Sequence, residues 1–315
     1  MQTPVVFCNR KGERLFGIVH EPVRGAASDL AIILLSPGVK MRVGPQRLYR
    51  GMAEAFARLG IRVLRFDFYG LGDSEGELQE GHLRDVYNHI EVGRFVDDTL
   101  DAMGWMEQTY GQHRFILGGL CGGAVTGLLA GRDSRVAGLL ALGITPVLAS
   151  HAADPSLYMT SGELALMRRT YFTKLVSPKA WLRLVSLQSD YKVIWRAIAD
   201  GLEGRAKPGA EPSAPLENDN ASPLFPPAFF AMAEDHRPML LVFGGSDRLE
   251  SEFQEKFVNR HRQRLLQLPG SHEVHVIPQA NHTLSFAEWQ AEMLDVSVRW
   301  LRQHFLSDQS TVPST

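Results

Sequence analysis

The feature that most constrains the fold of this chain is a repeated alternation of short apolar runs with longer amphipathic segments. Leu30–Leu35 is apolar throughout and precedes an amphipathic segment over 46–59, and the same pairing recurs at Arg114–Leu120 and Gly122–Ala130. Strands that are apolar on both faces are typical of parallel sheets, which helices cover on both sides. The pattern predicts an α/β fold with a mostly parallel central sheet flanked by helices.

The same alternation predicts the remaining elements of a core domain. Further strands are expected at 61–68, 136–144, 238–243 and 274–277, and further helices at 93–110, 252–266 and 288–305. Two β-rich segments at the start of the chain, around 5–8 and 15–20, are joined by turn residues and predict an antiparallel edge to the sheet.

The alternation stops after Thr145-Pro146 and resumes near Pro238. We predict a core domain over 1–146 and 237–306, and a helical lid insertion over 147–236 that lies above the carboxyl ends of the strands. Within the insertion, residues 203–227 are dense in Pro, Ala, Ser, Asn and Glu and predict a flexible stretch. The tail, 307–315, is expected to be disordered.

Composition excludes several classes of function. The 315 residues carry 33 Lys and Arg against 35 Asp and Glu, a formal charge of −2, which argues against nucleic-acid binding. The two cysteines cannot form a disulfide framework or a cysteine-rich zinc site. No apolar run is long enough to span a membrane, and the start does not resemble a signal peptide. We therefore expect a cytoplasmic protein with no membrane span and predict no cofactor and no metal.

The most informative motif lies where the predicted strand Arg114–Leu120 meets the next helix. Gly119-Leu120-Cys121-Gly122-Gly123 has the form of a nucleophile elbow, with a cysteine at the position of the nucleophile. Glycines on either side relieve crowding in so tight a turn, and the helix N-terminus favours a thiolate. Taken alone, the motif is also compatible with a buried cysteine in a Gly-rich turn.

Two later loops supply an acid and a base in the order that this nucleophile requires. Asp247 follows the strand over 238–243, and His282 follows the strand over 274–277. Nucleophile, acid and histidine, each past the carboxyl end of a strand, predict a Cys121–His282–Asp247 catalytic triad. Separately, Asp247 is also compatible with a turn or cap residue, and His282 with a local hydrogen bond.

An oxyanion hole needs two N–H donors aimed at one point. Gly122 follows the nucleophile and is expected to supply one, and the loop Ser36-Pro37-Gly38 leads to Val39, whose backbone N–H is the second candidate. Lys40 and Arg42 lie nearby and are expected to be a solvated pair of charges, although contact with an anionic substrate is an alternative.

The segments Val39–Tyr49 and Val63–Gly76, together with the elbow and the Asp247 and His282 loops, resemble a known family. The chain is similar to α/β-hydrolases of the serine aminopeptidase-like group, especially the exosortase-A-associated hydrolases. Its cysteine nucleophile is similar to that of dienelactone hydrolases, which have no comparable insertion. In this resemblance Asp67 and Asp73 belong to a structural loop beside the site. Ser36-Pro37-Gly38 departs from the His-Gly of many relatives.

The triad implies a hydrolase that cleaves an ester or thioester through a covalent acyl-cysteine, with a small-molecule acyl compound as its substrate. Two alternatives remain open. A thioester intermediate also suits an acyltransferase or thioesterase that passes the acyl group to an amine, thiol or alcohol. A non-catalytic binding protein with the same fold is the other. The sequence does not predict an oligomeric state.

Overall fold

The computed structural model describes residues 1–23, 29–148 and 220–306, and it is built around one eight-stranded sheet. The strands are β1 Gln2–Cys8, β2 Arg14–His20, β3 Leu30–Leu35, β4 Arg62–Phe66, β5 Arg114–Leu120, β6 Val136–Leu142, β7 Met239–Gly244 and β8 Glu273–Ile277. Their order across the sheet is β1-β2-β4-β3-β5-β6-β7-β8. β1 and β2 pair antiparallel, β2 pairs antiparallel with β4, and all other pairs are parallel. The predicted mostly parallel sheet with an antiparallel edge is confirmed.

Helices cover both faces of this sheet. They are α1 Leu48–Arg58, α2 Leu83–Glu91, α3 Val96–Tyr110, α4 Gly122–Ala130, α5 Phe225–Glu234, α6 Leu249–Phe253, α7 Arg262–Leu266 and α8 Ala287–Phe305. A 3₁₀ turn, Pro45–Arg47, precedes α1, and a π-helical turn, Gln254–Val258, follows α6.

The sheet separates two apolar layers because neighbouring residues of each buried strand point to opposite faces. In β5, Leu117 packs with α2 to α5 in one layer, whereas Ile116 packs with α1 and α8 in the other. Phe229 of α5 and Trp300 of α8 are among the largest fully buried side chains of the two layers. Burial on both faces explains the continuous apolar runs of the central strands.

The structure differs from the sequence-based expectation at three helices. Residues 83–91 form α2, where the sequence pattern predicts no element. The expected helix over 252–266 is divided into α6, the π-helical turn and α7. Helix α5 lies inside the segment expected to be insertion, and it begins with Phe225 followed by two prolines. Proline is tolerated in the first turn of a helix, where its missing N–H has no partner in any case.

Helix α5 belongs to the core, although its residues lie within the segment 147–236 that is predicted as the lid insertion. Val147 and Ala221 form an antiparallel bridge, so the chain departs from and returns to the core at one place past β6. From Ala221 onward the chain packs in the core, because the aromatic side chains of α5 supply apolar surface to the layer around α4. The predicted lid helices, most of the stretch 203–227 and the tail 307–315 lie outside the described residues.

Candidate active site

Cys121 occupies a sharp turn between β5 and α4. Its backbone has φ of 55° and ψ of −119°, in a region that residues other than glycine rarely adopt. The turn is held on both sides, since the N–H of Cys121 donates to the carbonyl of Leu142 at 2.9 Å and its own carbonyl accepts the N–H of Ala124 at 2.9 Å. The half-buried side chain is thus presented at the carboxyl end of the sheet, next to the N-terminus of α4.

Two glycines make this turn possible. A Cβ on Gly119 would overlap the backbone of Gly123, and a Cβ on Gly123 would overlap the carbonyl of Leu35 at the end of β3. Any side chain at either position would therefore push α4 away from the sheet. This is the steric reason for the Gly-x-Cys-x-Gly spacing in the sequence.

Asp247 and His282 meet beside Cys121 although they are far apart in the chain. The Nδ1 atom of His282 lies 2.7 Å from Oδ2 of Asp247. The two loops that carry these residues are joined, because the N–H of Ser246 donates to the carbonyl of Ala280 at 2.9 Å. The imidazole also lies over Gly143, the residue after β6, where a Cβ would be 3.2 Å from the ring.

The environment of His282 favours its charged form. Burial of the imidazole lowers its pKa, but the hydrogen bonds with Asp247 and Cys121 and the negative charges of both groups outweigh burial and raise the pKa to about 10. Since Asp247 occupies Nδ1, the other ring nitrogen is the one left for the sulfur of Cys121. The structure therefore brings together the three side chains that the sequence predicts to meet, Cys121, His282 and Asp247.

The loop that carries Val39 lies against the first turn of α4. A Cβ on Gly122 would be 3.1 Å from Cα of Gly38, so the two backbones are nearly in contact. Among the described residues, neither the N–H of Val39 nor that of Gly122 has a hydrogen-bond acceptor in the protein. Both predicted donors thus lie at the elbow.

Tyr87 of α2 is a further residue at this site that the sequence analysis did not identify. Gly38 has φ of 59° and leaves room for its ring, since a Cβ on Gly38 would be 2.7 Å from Cε1 of Tyr87. Burial, together with the charges of Cys121 and Glu91, raises the pKa of the Tyr87 phenol. The sequence feature that indicates this helix is the spacing of its apolar residues, which is that of an amphipathic helix: Leu83, Val86, Tyr87 and Ile90.

Arg42 is not the solvated charge that the sequence led us to expect. Its side chain is only 15% exposed and forms ion pairs with Asp67 and, at 2.6 Å, with Asp73. The carboxylate of Asp67 also accepts the backbone N–H groups of Arg42 and Asp73. The predicted loop-shaping role of the two aspartates is confirmed, because they hold the loops after β3 and β4 together.

The described part of the chain offers no cluster of three His, Cys, Asp or Glu side chains arranged for a metal ion. Within the same ranges, no helix combines the length and the apolar character that a bilayer crossing requires.

Comparison with known proteins agrees with the observed fold. A model of the alpha/beta hydrolase family matches residues 33–296. The esterase Pf2001 of Pyrococcus furiosus has a similar structure, with a TM-score of 0.57 and 17% identity over 96% of this chain and 91% of its own. Dienelactone hydrolase from Anabaena variabilis gives a TM-score of 0.55 and 14% identity over 96% and 98% of the two chains. The alpha/beta hydrolase GrgF from a Penicillium species gives a TM-score of 0.54 and 16% identity over 97% of this chain and 99% of its own. No curated protein sequence matches the chain.

Proposed function

The chain belongs to the alpha/beta hydrolase family, and from this premise we propose that it hydrolyses a small ester or thioester through an acyl-cysteine intermediate on Cys121. The observation that carries the proposal is the 2.7 Å hydrogen bond between His282 and Asp247 at the carboxyl edge of the sheet, near enough to Cys121 for its charge to raise the pKa of the imidazole. The names of the esterase and the dienelactone hydrolase with the same fold support an ester or lactone as the substrate class.

The raised pKa of His282 gives the resting state of this mechanism. With its pKa raised to about 10, the imidazole of His282 holds a proton at neutral pH. In the proposed mechanism the nucleophile is the thiolate of Cys121, formed next to this cation. The thiolate attacks the substrate carbonyl, a C–S bond forms, and the N–H groups of Val39 and Gly122 stabilise the oxyanion. Collapse of the tetrahedral intermediate breaks the bond to the leaving group, which takes the proton from His282.

Acylation also prepares His282 for the second half of the reaction. The leaving group has taken the proton of His282, and the acylated sulfur carries no charge that would raise the pKa of the imidazole. The neutral imidazole then takes a proton from water, which attacks the thioester. Expulsion of the thiolate releases the acid and restores the ion pair.

An acyltransferase activity is the second candidate, and the cysteine favours it. A thioester stays reactive toward amines and thiols as well as toward water. The motifs from Val39 to Gly76 further support a relationship to the exosortase-A-associated hydrolases within the family.

The test measures hydrolysis of p-nitrophenyl esters and acyl thioesters of increasing chain length, for the wild type and for Cys121→Ala. The exposed Cys8, in β1, offers a matched control as Cys8→Ser. We expect turnover by the wild type and the control, and none by Cys121→Ala. Product diverted to an added amine or thiol would favour the acyltransferase. Equal turnover by Cys121→Ala would contradict the proposal, and absence of turnover with every donor would favour a binding protein.

A further inference from the structure

Tyr49, the second residue of α1, joins the ends of the two strands that lead into the candidate site. Its side chain is fully buried, and its phenolic oxygen makes two short hydrogen bonds. The hydroxyl donates to the carbonyl of Leu35 at 2.7 Å and accepts the backbone N–H of Leu120 at 2.7 Å. Leu35 is the last residue of β3, and Leu120 is the last residue of β5.

The phenol is inserted where the ladder between β3 and β5 stops. Leu35 and Gly119 are the last paired residues of the two strands. Beyond them β3 continues into Pro37, which has no N–H with which to extend the ladder, and β5 turns into the elbow at Cys121. Tyr49 thus fixes the spacing of two backbones that separate at this point.

Both backbones carry the N–H groups of the proposed oxyanion hole. Leu35 leads through Ser36-Pro37-Gly38 to Val39, and Leu120 leads through Cys121 to Gly122. We propose that Tyr49 is a positioning residue that holds the Val39 and Gly122 N–H groups at the separation an oxyanion requires. The inference rests on the proposed function, because it concerns the same acylation of Cys121.

The chemistry of the phenol suits this position. A backbone N–H and a carbonyl cannot both be satisfied by an apolar side chain, whereas a hydroxyl accepts one bond and donates another. Burial, together with the negative charge of Cys121, raises the pKa of Tyr49, so that its proton remains available to the Leu35 carbonyl. Tyr49 does not act on the substrate itself.

The experiment compares two reactions of the same sulfur in the Cys8→Ser background. Acylation of Cys121 by p-nitrophenyl acetate passes through an oxyanion, whereas alkylation by iodoacetamide does not. For Tyr49→Phe we expect the acylation rate to fall by roughly 10- to 100-fold, the range associated with a misplaced catalytic group, while alkylation changes less than about twofold. A merely structural role would leave the ratio of the two rates unchanged.

Three comparisons complete the design. Tyr110→Phe removes a phenol from the end of α3, which packs against Arg62 at the start of β4 and so lies at the amino edge of the sheet, opposite the candidate site. This variant should leave the ratio of the two rates at its wild-type value. Replacing Tyr49 by 4-aminophenylalanine restores a donor and an acceptor and should recover most of the acylation rate. Gly44→Ala keeps the phenol but places a Cβ 3.1 Å from the Tyr49 ring, which should shift the ring and its hydroxyl. It therefore tests the position of the hydroxyl if Tyr49→Phe does not fold.

The outcomes separate this inference from the proposed function. If the wild type is acylated at Cys121 but Tyr49→Phe has the wild-type ratio of acylation to alkylation, the proposed role of Tyr49 is wrong and the proposed function stands. Gly44→Ala takes the place of Tyr49→Phe in this comparison if Tyr49→Phe does not fold. Absence of acylation at Cys121 in the wild type would overturn both.

Discussion

At the scale of single residues, the protonation of His282 links the stability of the fold to the proposed chemistry. Its side chain is 35% exposed, yet Asp247 and Cys121 together hold its pKa well above the ordinary value. A pKa raised in the folded state means that protonation of the imidazole and folding favour each other. The pairing of His282 with Asp247 therefore contributes to the stability of the fold, and its contribution depends on pH.

Asp247→Asn should reveal this dependence. The variant removes a charge that raises the pKa of His282 from 6.5 toward about 10. The loss in the free energy of unfolding is greatest below pH 6.5 and shrinks as the pH rises through 10. Above pH 10 His282 is neutral in the wild type and in the variant, so the charge of Asp247 no longer stabilises it. Denaturation by urea at pH 6, 8 and 10 measures this difference. A stability gap that widens with increasing pH would contradict the account.

The same variant should also lose activity, since a misoriented imidazole cannot shuttle the proton. We expect kcat for ester hydrolysis to fall by roughly 10²- to 10⁴-fold, as in other triads that lose their acid. A kcat within about twofold of the wild type would mean that Asp247 does not orient His282.

At the scale of secondary-structure elements, the elbow and the loops around it depend on close backbone contact. The bounds of β3, β5 and α4 could be read from the sequence because apolar runs and glycines end them sharply. Helix α2 was missed because charged and amide residues interrupt its apolar spacing, and α5 because its first turn contains two prolines within a Pro-rich composition. In both helices packing against the core outweighs local composition.

Gly123→Ala tests the contact between α4 and β3. Its Cβ would overlap the Leu35 carbonyl, so we expect a loss of about 1–3 kcal/mol in the free energy of unfolding, together with loss of activity. The matched control is Gly104→Ala in α3, where a Cβ meets no atom within 4 Å. There alanine should stabilise the helix by about 0.5–1 kcal/mol. Similar effects at both positions would show that the elbow is not tightly packed.

Arg42 and Asp67 test the link between the loops after β3 and β4. The Asp67 side chain is fully buried, so Arg42→Leu leaves a buried carboxylate without its cation and should cost about 3–5 kcal/mol. Adding Asp67→Asn should recover part of that loss in a double-mutant cycle. Arg299→Leu removes an exposed pair with Asp295 and should change stability by less than about 1 kcal/mol. If the losses in the free energy of unfolding caused by Arg42→Leu and Asp67→Asn simply add in the double variant, the two residues do not link these loops.

At the scale of the whole molecule, the site exists only when the sheet is complete. Cys121, Asp247 and His282 follow β5, β7 and β8, and the oxyanion loop follows β3, so residues distant in sequence meet at one edge. The order of these motifs along the chain was sufficient to predict that the three residues follow strands whose carboxyl ends share one edge of the sheet. The role of Tyr49 could not be predicted, because nothing in the sequence shows that α1 places a phenol between two strand ends.

The central claim is that Cys121 carries the acyl group, and intact-mass spectrometry tests it most directly. After brief incubation with p-nitrophenyl acetate or an acyl thioester, the wild type and Cys8→Ser should each gain the mass of one acyl group. Cys121→Ala should gain none. A single adduct that persists in Cys121→Ala, or one that disappears in Cys8→Ser, would contradict the account.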